Sequence, residues 1–146
     1  MIKREYPNQP IVGVGAVIID DNGKVLLVKR AQPPGKDLWA IPGGIVKLGE
    51  TLRNAVKREI KEETGLEIKV GDILKIFEVI DKDENNKIRY HYIIIDFEAR
   101  VIGGKLHPSS DALNAKWFSS VELKKIKMTR TTRKLLNKLM EEGKIK

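Results

Sequence analysis

The sequence contains no cysteine and only two histidines, His91 and His107. The lack of cysteine excludes disulfide bonds, thiolate zinc sites and a cysteine nucleophile, and two scattered histidines are too few to favour a histidine metal site. Any metal chemistry therefore depends on carboxylates. No apolar run approaches the roughly 18 residues of a membrane-spanning helix, and the start of the chain lacks the apolar segment of a signal peptide. We therefore expect a soluble, cytoplasmic protein.

The length of the chain leaves no room for a second domain. With 146 residues, 41% of them hydrophobic and 33% charged, residues 1–146 are predicted to form one globular domain with its own core. The formal net charge of +8 suits a polyphosphate substrate or a nucleic acid. However, residues 124–146 hold nine Lys and Arg against two Glu, and a basic tail helix is usually a solvated face. Nucleic acid is therefore not the expected partner.

A helix predicted from Thr51 to Thr64 carries its acids in an unusual place. At about 100° per residue, its apolar side chains share one side and its lysines lie opposite. Glu59, Glu62 and Glu63, spaced i, i+3, i+4, project from a sector that overlaps the apolar side. These acids are predicted to point inward or into a cleft. The apolar stripe consists of Leu52, Ala55, Val56 and Ile60.

This placement of acids requires a compensating cation. Like charges at i, i+4 repel, and the C-terminal half of a helix already carries the negative end of its dipole. Arg58 can reach one carboxylate, but three acids need more charge than one guanidinium supplies, and hard divalent cations take oxygen ligands. The alternative is a solvated acidic face on a surface helix, and the overlap with the apolar stripe favours the metal site.

Two glycines precede the helix. Gly43 and Gly44 allow a backbone path that other residues cannot follow, so a main-chain carbonyl there can approach a cation without an intervening side chain. After the helix, Gly65 is placed to end it as a left-handed cap.

These residues together resemble the Nudix box. Gly44, then Glu50 after five residues, then Arg58-Glu59-Ile60-x-Glu62-Glu63-x-Gly65-Leu66 match its nine fixed positions across 23 residues. The resemblance implies an α/β/α sandwich with a central mixed sheet between helices. It also implies hydrolysis of a nucleoside diphosphate linked to another group X, with Mg²⁺ or Mn²⁺ as cofactor.

The resemblance also assigns roles to individual residues. It implies Glu59 and Glu63 as the main metal ligands, completed by Glu62 and the Gly44 carbonyl. Arg58 and Glu50 are implied to orient these ligands. The general base stays open among Glu62, Glu98 and Asp111.

Two of these base candidates lie outside the box. Glu98 falls where some Nudix enzymes that act on nucleoside triphosphates place an additional carboxylate, but it also fits an exposed position on a strand. Asp111 lies in a loop of the kind that supplies the base in some members, although the residues Ser109-Ser110-Asp111 favour capping or turn formation over that role.

The substrate expected from the resemblance is ADP-ribose, cleaved to AMP and ribose 5-phosphate. Residues 89–118 are similar to archaeal and bacterial ADP-ribose pyrophosphatases, whose members are often homodimers. The proline that many of these enzymes carry about 15 residues after the box is replaced here by Asp81 and Lys82. A (d)NTP pyrophosphatase that removes non-standard nucleotides therefore stays an alternative, and a nucleotide- or RNA-binding module is the alternative outside enzymes.

Strand patterns surround the box. Residues 11–19 and 24–30 are predicted to form a hairpin across the turn at Asp20–Gly23. Residues 67–70, 73–80, 88–101 and 115–119 are predicted strands, and Asp83-x-Asn85 lies in a predicted hairpin turn. A last helix is predicted to start at Thr131 or Thr132.

The strand over residues 88–101 alternates between two kinds of face. Its odd positions are mostly apolar, whereas Tyr90, Tyr92, Ile94, Asp96 and Glu98 share the other face. We expect this second face to border the site.

Overall fold

The structure is a computed structural model that describes residues 2–146. Within this range the chain forms strands and helices in mixed order, as expected for an α/β fold. None of the helices in residues 2–146 is long and apolar enough to cross a bilayer. The elements are β1 (Ile11–Ile18), β2 (Val25–Arg30), β3 (Trp39–Ala40), β4 (Gly43–Ile45), α1 (Leu52–Thr64), β5 (Leu66–Lys82), β6 (Ile88–Gly104), β7 (Ala112–Phe118), α2 (Ser120–Leu123) and α3 (Arg130–Glu141).

The strands form two sheets. The first is mixed, with the order β4-β1-β6-β5 and a parallel pairing of β1 with β6, and the second is antiparallel with the order β3-β2-β7. The predicted α/β class with a mixed sheet is confirmed. The sequence patterns did not indicate that the strands would divide between two sheets.

The predicted hairpin of β1 and β2 is wrong beyond its turn. Asp20 caps the turn by accepting the N–H groups of Asn22 and Lys24 at 2.9 Å. After the single bridge between Ile19 and Val25, however, the two strands diverge into different sheets. The reason lies in their partners, since β1 pairs with β4 and β6 whereas β2 pairs with β3 and β7.

The box helix α1 begins and ends as predicted. Thr51 caps its start by accepting the N–H of Asn54 at 3.1 Å, and Gly65 ends it in the left-handed conformation with φ of 79°. Ala55, Val56 and Ile60 are fully buried in a core cluster that also contains side chains of both sheets. This packing fixes the direction in which the acids of α1 point.

β5 and β6 form one long hairpin. Each strand has 17 residues, and β5 continues through residues 71–72, where the sequence predicted a break, by means of register shifts between Val70 and Ile73. The predicted turn is confirmed, with Asp83 accepting the N–H groups of Asn85 and Lys87 at 2.9 Å. The even-numbered residues of β6, which include Tyr92 and Asp96, therefore lie on one face of this long hairpin.

The C-terminal helix begins slightly earlier than predicted. α3 starts at Arg130 with Thr129 as its N-cap residue. Its buried side chains Leu135, Leu136 and Leu139 belong to a second cluster of buried apolar residues, separate from the one that contains α1. The short helix α2 was not predicted, and β7 starts at Ala112, three residues before its predicted start. The first turn of α3 lies beside the cleft described next.

Candidate active site

A cleft of about 560 Å³ brings together the predicted residues and several others. It is lined by β1, β4 and β6, by the acid-bearing face of α1, by the first turn of α3 and by the loop after β2. Both ends of the Nudix-box segment contribute, through Gly44 and Glu63. A cleft of this size is in the usual range for a nucleotide-sized ligand.

Two glutamates of α1 point into the cleft, with Glu63 buried and Glu59 partly buried. Glu63 is 7% exposed, and its burial raises its pKa to about 8, although the Gly43 N–H lowers the pKa. Burial also raises the pKa of Glu59, although the ion pair with Arg58 lowers it. The negative charge of Glu59 also raises the pKa of Glu63, because two like charges close together disfavour ionisation. The third acid, Glu62, lies at the rim with 47% of its side chain exposed.

The Arg58 guanidinium holds the acids in place. It donates to both carboxylate oxygens of Glu50 at 2.7 and 2.9 Å, to Glu59 at 2.8 Å and to Glu62 at 3.2 Å. It also donates to the Ile45 carbonyl at 2.9 Å, which links α1 to β4. These bonds hold the pKa of Glu50 near 2 and raise the pKa of Arg58. The geometry agrees with the orienting role that the resemblance implies for Arg58 and Glu50.

Gly44 lies directly against the carboxylate of Glu59. A methyl group added to Gly44 would overlap that carboxylate and displace Glu59 from its present position. The glycine therefore acts first by leaving room for the acid.

The backbone of β4 faces two ways in alternation. The Pro42 carbonyl and the Val46 N–H bond to β1, whereas the Ile45 carbonyl accepts a bond from α1 and the Gly43 N–H faces an α1 carboxylate. Gly44 pairs with β1 in this ladder, so its carbonyl follows β1. The expectation that the Gly44 carbonyl would face a cation does not fit this alternation, and Gly43 is the glycine whose backbone faces the acids.

The donor set suits a hard divalent cation. Within residues 2–146 no three acidic or histidine side chains converge as a ready cation cage, because Arg58 engages Glu59 and Glu62. The ion pairs of Arg58 are with Glu50, Glu59 and Glu62 and do not include Glu63. Glu63 lies one helical turn from Glu59, whose charge acts on it. A buried and a partly buried carboxylate that repel each other and have raised pKa values are oxygen ligands that such a cation stabilises.

The two candidate bases outside the box are placed differently. Asp111 lines the cleft close enough to Glu63 to raise its pKa. Glu98 is exposed, accepts the N–H of Asp72 at 3.4 Å and lines a second pocket between β5, β6 and α3. Glu98 lies nearer the C-terminal end of β6 than the cleft residues do. The structure therefore does not bring Glu98 to the acids of α1.

Other cleft residues follow from the strand pattern or were missed. Tyr92, Ile94 and Asp96 line the cleft, which confirms that the even face of β6 borders it. Arg30 was missed, because a basic residue at the end of a strand usually lies in solvent. Here its Nε donates to the Pro34 carbonyl at 2.7 Å, and burial lowers its pKa while Glu63 and Asp111 raise it.

Comparisons with known proteins agree with this geometry. The ADP-ribose pyrophosphatase of Methanocaldococcus jannaschii is 45% identical over 117 residues, which make up 80% of this chain and 66% of that protein. The crystal structure of a MutT NUDIX hydrolase from Burkholderia pseudomallei superposes with a TM-score of 0.75 at 31% identity, over 89% of this chain and 98% of that one.

A third relative is a bifunctional NMN adenylyltransferase/ADP ribose pyrophosphatase from Francisella tularensis, solved in complex with AMP and a manganese ion. It superposes with a TM-score of 0.66 at 28% identity, over 92% of this chain and 42% of that one. The present chain thus spans just under two thirds of the Methanocaldococcus protein and less than half of the Francisella protein. The NUDIX domain family model matches residues 9–139. This match confirms the resemblance of the box, and the chain belongs to the NUDIX domain family.

Proposed function

We propose that this chain is a metal-dependent hydrolase that cleaves the pyrophosphate bond of a nucleoside diphosphate linked to X, with ADP-ribose as its substrate and AMP and ribose 5-phosphate as products. The observation that carries this proposal is that Glu63, which is buried, and Glu59, which is partly buried, line a nucleotide-sized cleft. The name of the Methanocaldococcus relative supports the choice of ADP-ribose. Since ADP-ribose is an intracellular metabolite, we place the activity in the cytoplasm.

Mg²⁺ or Mn²⁺ is the proposed cofactor, held by Glu59 and Glu63 with Glu62 and the carbonyl of Gly43, which lies on the side of the strand away from β1. When bound, the cation neutralises negative charge on the diphosphate oxygens. Arg58 and Glu50 hold the ligand side chains in register, so that little reorganisation is needed when substrate enters.

Residues beyond the box complete the charge pattern of the cleft. Arg30 lies beside Glu63 and Asp111 and is placed to meet an anionic oxygen of the substrate. Glu62 and Asp111 both line the cleft and are the two remaining candidates for the base that takes a proton from water. Glu98 is not a candidate for the base, because it lies outside the cleft.

A (d)NTP pyrophosphatase is the second candidate function. Asp81 and Lys82 stand where many ADP-ribose pyrophosphatases carry a proline, and Asp81 lines the cleft. An acidic residue at the cleft changes which group X can lie there.

A substrate panel distinguishes the two functions. With Mg²⁺, ADP-ribose should give AMP and ribose 5-phosphate at a kcat/KM at least tenfold above that of other nucleotide sugars, dinucleoside polyphosphates and each NTP. Products are separated by ion-exchange chromatography. Preferential cleavage of an NTP would support the second candidate, and no cleavage of any compound would contradict both.

We also propose that a second copy of the chain covers the outer edge of β5. β5 is the end strand of the first sheet, and Ile73, Ile76 and Ile80 on it are about half exposed. An unpaired strand edge with exposed apolar side chains is a typical interaction surface.

Light scattering on the intact protein tests this assembly. We expect twice the chain mass of 16.5 kDa for the wild type and the single chain mass for the Ile76→Lys variant, which places a charge in the contact. A wild type that scatters as a single chain would contradict the dimer.

A further inference from the structure

One buried carboxylate in the cleft has no role so far. Asp96 on β6 is 3% exposed, and its Oδ1 has no hydrogen-bond partner within residues 2–146. Burial alone raises its pKa to about 7, with no charged neighbour contributing. A buried polar atom without a partner is costly and rare in native proteins, so its position requires an explanation.

Asp96 and two glycines of β1 together form the floor of one part of the cleft. Asp96 pairs across the sheet with Gly15, and a methyl group on Gly15 would lie 2.5 Å from Oδ1. Gly13 lies on the same face of β1, next to Ile94, and both glycines line the cleft. The space that a side chain would fill at Gly15 is taken by Oδ1 and by Ile41, so the absence of a side chain at Gly15 lets the Asp96 carboxylate lie against the backbone of β1.

The walls around this floor are largely apolar. Ile41, Val79, Tyr92 and Ile94 line the same part of the cleft. An apolar slot with one unpaired acceptor at its base fits a planar ring that carries a hydrogen-bond donor on its edge.

The distance from Asp96 to the acids of α1 suits a nucleotide. Gly15 pairs with Gly43 on one side and with Asp96 on the other, so Gly43 and Asp96 lie two strand spacings apart, about 9.5 Å. The Gly43 N–H faces Glu63. The Asp96 carboxylate therefore lines the same cleft as the acids of α1 but lies over β1, where the part of a nucleotide that is not held by those acids can contact it.

We propose that the carboxylate of Asp96, which lines the cleft, accepts a hydrogen bond from the exocyclic amino group of the substrate's nucleobase and so selects adenine over a base that carries a carbonyl at the same position. This inference rests on the proposed function, since it takes a nucleotide as the ligand. With adenine bound, the 6-amino group donates to the Asp96 carboxylate. With hypoxanthine bound, the 6-carbonyl oxygen faces the carboxylate and leaves two acceptors opposed.

Binding of AMP and IMP in the presence of Mg²⁺ tests the proposal. Neither compound has a pyrophosphate bond, so calorimetry or NMR titration at pH 8 reports binding without turnover. The wild type should bind AMP at least tenfold more tightly than IMP. The Asp96→Asn variant should lose this preference or reverse it, because its amide can donate to the 6-carbonyl of IMP.

Two controls separate recognition from stability. Asp72→Asn makes the same change at an exposed aspartate outside the cleft and should keep the wild-type AMP to IMP ratio. Asp96→Asn should fold, since it replaces an unpaired buried carboxylate by a neutral isostere, and its melting curve verifies this. An Asp96→Asn variant that keeps the wild-type ratio, or a wild type that binds AMP and IMP equally, would overturn the role of Asp96. A wild type that binds neither compound would overturn the proposed function as well.

Discussion

The Glu63→Gln variant is expected to lose metal-dependent pyrophosphate cleavage by about 10³-fold or more. The substitution removes a charged oxygen ligand and keeps the size of the side chain. It also removes the cost of burying a carboxylate that is 7% exposed, so the fold should survive. The rate at which AMP and ribose 5-phosphate form with Mg²⁺ measures the loss of cleavage, and a thermal melt measures whether the fold survives. Glu59→Gln should behave in the same way.

The same variant also changes how stability depends on pH. Burial raises the pKa of Glu63 from its ordinary value of 4.5 to about 8 in the metal-free protein. Between these values the folded state binds more protons than the unfolded state, so the contribution of Glu63 to stability is present at low pH and is lost as the pH rises toward 8. Glu63→Gln lacks this loss. The melting temperature of the variant should therefore rise relative to wild type between pH 5 and pH 8.

Glu78→Gln provides the matched control for these experiments. Glu78 is an exposed glutamate of β5 outside the cleft, so its substitution should change neither turnover nor the pH dependence of melting. Wild-type turnover in both Glu59→Gln and Glu63→Gln would remove the assignment of the site.

The Arg58→Ala variant is expected to lose both stability and turnover. Its guanidinium bonds to Glu50, Glu59, Glu62 and the Ile45 carbonyl, and its removal leaves partly buried carboxylates without compensation. The expected cost is about 3 kcal/mol of the free energy of unfolding. Mg²⁺ should recover part of this stability, because the cation replaces positive charge beside Glu59. Chemical denaturation with and without Mg²⁺ measures both values.

The Arg58→Lys variant separates charge from geometry. Lysine keeps the positive charge but cannot make the two parallel bonds to Glu50. We expect it to recover more stability than turnover relative to Arg58→Ala. Unchanged stability and turnover in Arg58→Ala would show that the arginine does not organise the acids.

Local signals made the box helix predictable. Thr51 and Gly65 determine the ends of α1 through short-range hydrogen bonds and backbone conformation, and both appear in the sequence as cap residues. The inward direction of Glu59 and Glu63 followed from their spacing against Ile60, because helical geometry alone sets that relation.

Long-range pairing could not be read from the sequence. The separation of β1 and β2 into two sheets depends on partners far along the chain, as does the alternation that turns the backbone N–H of Gly43 toward α1 and the carbonyl of Gly44 toward β1. Arg30 and Asp96 reach the cleft through these same pairings. Alternation along β6 placed Asp96 on the correct face, but only the fold shows that its Oδ1 has no partner within the described residues.

Binding of Mn²⁺ to the metal-free protein, followed by electron paramagnetic resonance, tests most directly whether Glu59 and Glu63 form a cation site. The wild type and Glu78→Gln should bind Mn²⁺ with equal affinity, and Mg²⁺ should compete for the site. Glu59→Gln and Glu63→Gln should each weaken binding by about 100-fold. Wild-type Mn²⁺ affinity in the Glu63→Gln variant would contradict the account.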